Sequence, residues 1–107
     1  KLQIIKGNKE KTIEKINEIV QNYIDNQKRV AILSTEEVSN RFPLGEIISL
    51  GSEKNLYDVA RNLFEALRQC DDLNVDFIIC QAFEDKGVGL AIMNRLNKAA
   101  GFNILEV

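Results

Sequence analysis

Gly87-Val88-Gly89-Leu90-Ala91-Ile92-Met93-Asn94-Arg95-Leu96-Asn97-Lys98-Ala99-Ala100 follows an apolar run, Phe77-Ile78-Ile79-Cys80, and a charged turn, Glu84-Asp85-Lys86. The order reads as strand, glycine turn, helix. At about 3.6 residues per turn, Gly89, Ile92, Met93, Leu96 and Ala100 share one face, while Ala91, Asn94, Arg95 and Lys98 gather on another. The first face packs and the second meets water or a partner. Gly87 and Gly89 let the backbone turn tightly and bring unpaired N–H groups close to whatever lies above the sheet, an anion or another domain.

The same alternation runs through the rest of the chain. Leu2-Gln3-Ile4-Ile5 before Gly7 reads as a strand, with Asn8 as the N-cap of an amphipathic helix over residues 9–26 that presents Ile13, Ile16, Ile19, Val20, Tyr23 and Ile24 at helical spacing. Val30-Ala31-Ile32-Leu33 is a buried strand closing at Ser34-Thr35, and Glu36 to Asn40 a single helical turn stopped by Pro43 and Gly45. Ile47 to Leu50 forms a third strand. A helix over residues 54–71 then turns Leu56, Val59, Ala60, Leu63, Leu67 and Cys70 inward, with Tyr57, Arg61, Phe64 and Arg68 as a stripe along its flank. Val75 to Cys80 is the fourth strand and Asn103 to Val107 the fifth. Strands of continuous apolar residues alternating with helices predict an α/β, Rossmann-like three-layer fold: about five mostly parallel strands with helices on both faces. Right-handed crossovers place any functional surface at the carboxyl ends of the strands, where Gly7, Ser34-Thr35, Gly51-Ser52 and Gln81 to Gly89 fall.

Composition removes several classes of function. A chain of 107 residues suits one domain, here residues 1–107, and its apolar runs fall far short of the ~20 residues that span a bilayer. The net charge of −2 divides unevenly, with seven Lys or Arg against four acids in residues 1–29 and seven against twelve in the remainder. Neither part forms a basic patch with interleaved aromatics, which argues against direct nucleic-acid binding. Histidine is absent, and with it the usual general base and the commonest metal ligand. Cys70 and Cys80 form no C-x-x-C pair and read as buried thiols of a reducing cytoplasm, with no metal site.

The individual motifs have modest structural readings. Gly87-Val88-Gly89 shares two glycines with a dinucleotide fingerprint, but position 92 is Ile where the third Gly belongs, and Glu84 and Asp85 would repel phosphate. A tight turn that seats the helix on the sheet is the preferred reading. Arg68 has Asp71 and Asp72 near it in sequence as partners, Tyr57 and Phe64 fit partly buried edge positions, and Ser34-Thr35-Glu36-Glu37 fits a helix N-cap.

Two segments together carry a resemblance. Leu63-Phe64-Glu65-Ala66-Leu67-Arg68-Gln69-Cys70-Asp71 matches a Leu-Phe-x-x-Leu-Arg-x-x-Asp pattern, and residues 87–100 match Gly-x-Gly-x-Ala-Ile-x-Asn-Arg-Leu-x-Lys-Ala-Ala, in that order and separated by a strand. Both patterns are found in the C-terminal accessory domain of the two-domain L-threonylcarbamoyladenylate synthases, the YrdC-type tRNA modification enzymes. The chain resembles that domain along most of its length, most closely from Leu63 to Ala100.

The resemblance implies an accessory domain of an enzyme that condenses threonine, bicarbonate and ATP, with magnesium, into threonylcarbamoyl-AMP for the threonylcarbamoyladenosine modification of tRNA. The chemistry of that family belongs to an N-terminal catalytic domain joined by a linker. Neither that domain nor a Pro-Gly-Met-x-x-x-His-Tyr linker motif occurs in these residues, and the chain starts at Lys1 rather than Met, as a fragment would. The resemblance thus implies no catalytic residue or cofactor in this domain. Its partners are the catalytic domain and linker of the same polypeptide, with homo-oligomerisation a further option. Arg68, Asp71, Asn94, Arg95 and Lys98 are the candidate contact residues. The alternative is a stand-alone nucleotide- or small-ligand-binding module using the turn at Gly87 and Gly89, with Arg95 or Lys98 as anion partner.

Overall fold

The computed structural model describes residues 1–107. Its strands are β1 (Leu2–Lys6), β2 (Val30–Ser34), β3 (Glu46–Ser49), β4 (Phe77–Gln81) and β5 (Ile104–Glu106). They form one sheet in the order β3-β2-β4-β1-β5. Every neighbouring pair is parallel, with Leu2 opposite Ile78, Ile32 opposite Ile79, Leu33 opposite Ile48 and Ile4 opposite Ile104. The α/β architecture is as the alternation predicts, and the sheet is wholly rather than mostly parallel.

Three helices cover it: α1 (Lys9–Asp25), α2 (Leu56–Leu73) and α3 (Val88–Ala100). Side chains of a strand alternate between faces, so each strand feeds two cores. Leu2, Ile4, Ala31, Leu33, Ile78 and Cys80 point to one side, where Val59, Leu63, Ala66 and Cys70 of α2 and Ile92, Met93 and Leu96 of α3 meet them. Ile5, Val30, Ile32, Phe77 and Ile79 point to the other, against Ile13, Ile16 and Val20 of α1. Tyr23 closes that second core by stacking on Phe77, ring centroids 4.3 Å apart. No helix is long and apolar enough to cross a membrane.

Local chemistry sets where the helices begin and end. Asn8 caps α1, its Oδ1 accepting the Lys11 N–H at 2.9 Å. Asn55 caps α2 through the Asp58 N–H, and Asn74 ends it in the left-handed conformation at φ 55°, which asparagine tolerates. These two asparagines move α2 two residues beyond the 54–71 expected from its apolar spacing. Asp76 then holds the entry to β4 by accepting the Arg29 N–H at 2.8 Å, so that strand starts at Phe77 rather than Val75.

The segment between β2 and β3 corrects the sequence reading. No helix starts at Ser34-Thr35; the one helical turn is a 3₁₀ turn at Ser39–Arg41. The Ser34 and Ser39 hydroxyls lie 3.0 Å apart, and the Ser39 hydroxyl donates to the Thr35 carbonyl at 3.0 Å, closing a loop instead of capping a helix. Burial of Val38 and Phe42 draws this loop over α1's side of the sheet. Arg41 fastens it there, with both its terminal nitrogens on the Glu10 carboxylate at 3.2 and 2.8 Å.

The two turn glycines have distinct jobs. Gly87 stands at φ 59°, ψ −136°, a conformation that side-chain-bearing residues rarely adopt. Gly89 is chosen for space: a Cβ there would lie 2.3 Å from the Glu84 carbonyl oxygen.

Leu63→Ala, at a fully buried position, is expected to lower the unfolding free energy in urea by about 2–5 kcal/mol. Tyr57→Ala, where the side chain is 76% exposed, is expected to change it by less than ~0.5 kcal/mol. Gly89→Ala would stabilise an open helix by about 1 kcal/mol; against the Glu84 carbonyl it should instead lower the melting temperature. Burial pushes the Cys70 thiol up to about 11 and the Cys80 thiol higher still, so at pH 8 a thiol reagent should label neither in the native chain and both after unfolding.

Candidate functional site

The outer side of the α2–α3 layer gathers most of the candidate residues. Ile92, Met93 and Leu96 turn α3 inward, which leaves Ala91, Asn94, Arg95 and Lys98 on its free side. With Leu67 of α2 they line an open groove along the seam between the helices. The Arg95 guanidinium lies over the Phe64 ring, 3.8 Å from its centroid. That contact satisfies the ring quadrupole without burying the ring, which stays 56% exposed.

Arg68 and Asp71 behave differently from the sequence expectation. Arg68 pairs with Glu65 at 3.6 Å, one helical turn back, rather than with Asp71 or Asp72. It projects outward beside the groove. Asp71 lines a separate shallow hollow at the amino edge of the sheet with Lys1, Leu2 and Ile78; Leu67 and Ala99 border both hollows. Tyr57 and Phe64, expected as partly buried edge residues, are both exposed. They sit one position beyond the inward-facing Leu56 and Leu63, far enough round the helix to leave the core.

Gly87 and Gly89 belong to the opposite end of α3. At about 1.5 Å of rise per residue, Arg95 lies roughly 9 Å and Lys98 roughly 14 Å along the helix from Gly89. The structure therefore does not bring the turn and these cations together as an anion site. Glu84 fills the space above Gly89 with its carbonyl and its side chain, and Asp85 pairs with Lys6 at 3.7 Å.

The carboxyl edge is instead tied by carboxylates. Glu37 accepts the Ser52 hydroxyl and, at 2.9 Å, the Glu53 N–H, which together hold its carboxyl below the ordinary range. Glu53 in turn receives Lys9 at 3.2 Å. This chain of contacts links the segments that follow β1, β2 and β3. Beneath it a cavity of about 170 Å³ opens between α1, the 38–42 loop and the ends of β1 and β4. Sequence reasoning missed this cavity and the Arg95–Phe64 contact. The one signal for the contact was a phenylalanine placed immediately after Leu63, off the apolar stripe. No three of the Cys, Asp and Glu side chains converge to hold a metal ion.

A family model described as threonylcarbamoyl-AMP synthase, C-terminal domain, matches residues 1–101. The threonylcarbamoyl-AMP synthase of Bacillus subtilis is 44% identical over 93 residues, covering 87% of this chain and 27% of that protein. Its counterpart in Pyrococcus abyssi is 36% identical over 104 residues, covering 97% and 29%. Among solved structures, P. abyssi Sua5 complexed with L-threonine superposes with a TM-score of 0.88 at 34% identity, covering 100% of this chain and 30% of that one. The C-terminal Sua5 domain of Pyrococcus horikoshii gives 0.78 at 34%, covering 100% and 96%. The chain spans under a third of the length of the full-length relatives it matches. A match over nearly every residue, carried on the same fold, establishes that this chain belongs to the family of threonylcarbamoyl-AMP synthase C-terminal domains.

Proposed function

We propose that this chain is the accessory domain of a cytoplasmic enzyme that makes threonylcarbamoyl-AMP from threonine, bicarbonate and ATP with magnesium, for the threonylcarbamoyladenosine modification of tRNA. Membership of the family supports the reaction, and the P. abyssi relative complexed with L-threonine supports the substrate. The domain itself adds no catalytic group. It works by docking the outer side of α2 and α3 on the catalytic domain and linker of the same polypeptide, and so gates ATP entry or product release.

One observation carries the docking assignment: an aromatic ring, Phe64, is left more than half exposed beneath an exposed arginine, Arg95, although nothing in the domain's own packing needs either. Aromatic and arginine side chains are the types that anchor interfaces. Asn94 and Lys98 extend the surface along α3, Arg68 flanks it on α2, and Asp71 offers an opposite charge at its far end. Lys98 forms its part of the wall without an ion-pair partner among the salt bridges of the domain, in contrast to Arg61 with Asp58 and Arg68 with Glu65.

In the full-length enzyme, Arg95→Glu is expected to reduce threonine- and bicarbonate-dependent pyrophosphate release from ATP about tenfold, the effect of one lost contact of ~1.4 kcal/mol in the transition state. The melting temperature of the domain should hold, because both side chains of the pair are exposed. Unchanged kinetics would remove Arg95 from the interface.

A further inference from the structure

The cavity at the carboxyl edge has no part in the docking surface, which lies on the other side of the sheet. It sits where β1 and β4 run side by side and then part, β1 entering α1 on one face and β4 leading to α3 on the other. In open α/β sheets the place where neighbouring connections diverge in this way is a natural ligand crevice. Its walls divide by chemistry. Ile5, Ile13, Val38 and Phe42 supply an apolar floor.

Thr12 and Gln81 supply the polar side. Thr12 is only 7% exposed, yet its hydroxyl enters none of the side-chain hydrogen bonds of the protein and lies next to Gly7 at the cavity wall. Gln81 likewise uses its carboxamide for no internal bond. Asn8 takes up the Lys11 N–H through its side chain and the Thr12 N–H through its carbonyl. The N–H groups of Lys9 and Glu10, at the positive end of a 17-residue helix, have no partner within the helix. A hydroxyl on a largely buried threonine that bonds to no protein group and lines the cavity, beside free donors and above hydrocarbon, is the complement of a molecule with an oxyanion head and an aliphatic body.

Size restricts the choice further. A cavity of about 150 Å³ accommodates benzene, so 170 Å³ holds roughly seven or eight heavy atoms. Nucleotides are too large by a wide margin. We propose that this cavity binds a small carboxylic acid with a short branched hydrocarbon body, its carboxylate at the first turn of α1 beside Thr12 and its hydrocarbon against Ile5, Ile13, Val38 and Phe42. Lys9 already shares its charge with Glu53, so the head group is held by hydrogen-bond donors more than by net charge. The affinity expected of so few atoms is about 1 mM.

The P. horikoshii relative is solved as the C-terminal domain alone, and the 107-residue chain closes both of its own cores, so the test uses this chain. Isovalerate is titrated while amide shifts are followed by NMR. Saturable shifts confined to Gly7, Lys9, Thr12, Gln81 and their neighbours, with a dissociation constant near ~1 mM, support the site. So do a loss of affinity of about fivefold or more in Thr12→Val, which keeps the shape and removes the hydroxyl, and abolition in Ala82→Leu, which fills the space. Should Ala82→Leu not fold, Ile16→Phe serves the same purpose. Absence of saturable shifts overturns the site, as do shifts that survive the filling variant. Equal binding of isoamyl alcohol, which has no carboxylate, overturns the assignment of the head group.

Discussion

Two parallel strands lying side by side cannot be joined by a hairpin; the chain must cross over a face of the sheet to return to the same starting edge. In this domain β4 lies between β2 and β1, parallel to both, with Ile79 opposite Ile32 on one side and Gln3 on the other. That central pairing obliges the connections to be covering layers rather than turns. The crossover from β1 to β2 places α1 on one face, and those from β3 to β4 and from β4 to β5 place α2 and α3 on the other. Because β1 and β4 are neighbours that exit to opposite faces, the carboxyl edge opens between them. The cavity there and the separation of the two helical faces follow from one choice of strand order.

The packing also decides which polar groups are free for other work. α2 and α3 bury Val59, Leu63, Ala66, Cys70, Ile92, Met93 and Leu96 and need nothing more to stay on the sheet. Phe64 lies beyond that stripe and adds little to the core, because more than half of its surface still meets water. The Arg95 guanidinium over the ring keeps an aromatic at the surface partly covered, and a planar cation can be exchanged for, or shared with, a partner's carboxylate more readily than a buried ion pair can be broken. The arrangement tolerates the isolated domain in water while leaving a surface with an apolar centre and charged margins.

Periodicity made most of the fold legible before any coordinates. The apolar stripe of α1, the inward face of α3 at Gly89, Ile92, Met93 and Leu96, and the strands of β-branched residues are repeated signals that local sequence carries well. Boundaries followed from single polar side chains instead: Asn55 and Asn74 moved α2 by two residues, and a pair of serine hydroxyls turned an expected helix start into a closed loop. Arg68 went to Glu65 rather than to Asp71 or Asp72, although all three are within one turn, because helical side chains lean toward the helix N-terminus and favour an acid that precedes the base. The proposed docking face was half legible, since Asn94, Arg95 and Lys98 fell on the outward side of α3 by spacing alone. Its centre, Phe64 beneath Arg95, depends on how two helices sit against each other. The cavity lay further out of reach: its walls come from residues 5–16, 38–42 and 81–82, brought together only by the strand order.

The two surfaces lie on opposite faces of the sheet, yet one short stretch touches both. Gln81 and Ala82 form part of the cavity wall at the end of β4. Two residues further on, Glu84 packs against Gly89, and the Phe83 N–H donates to the Met93 sulfur at 3.2 Å, so the same segment sets how the first turns of α3 sit on the sheet. Six residues along from Gly89 comes Arg95. The missing Cβ at Gly89 makes this linkage tight, because the Glu84 main chain enters the space a side chain would occupy. A displacement of Gln81 or Ala82 by something lodged in the cavity would be taken up either at Gly87, where glycine holds the positive φ at no steric cost, or by a shift of α3 itself. Nine residues of chain, 81–89, join the cavity wall to the first turn of the helix that carries Arg95.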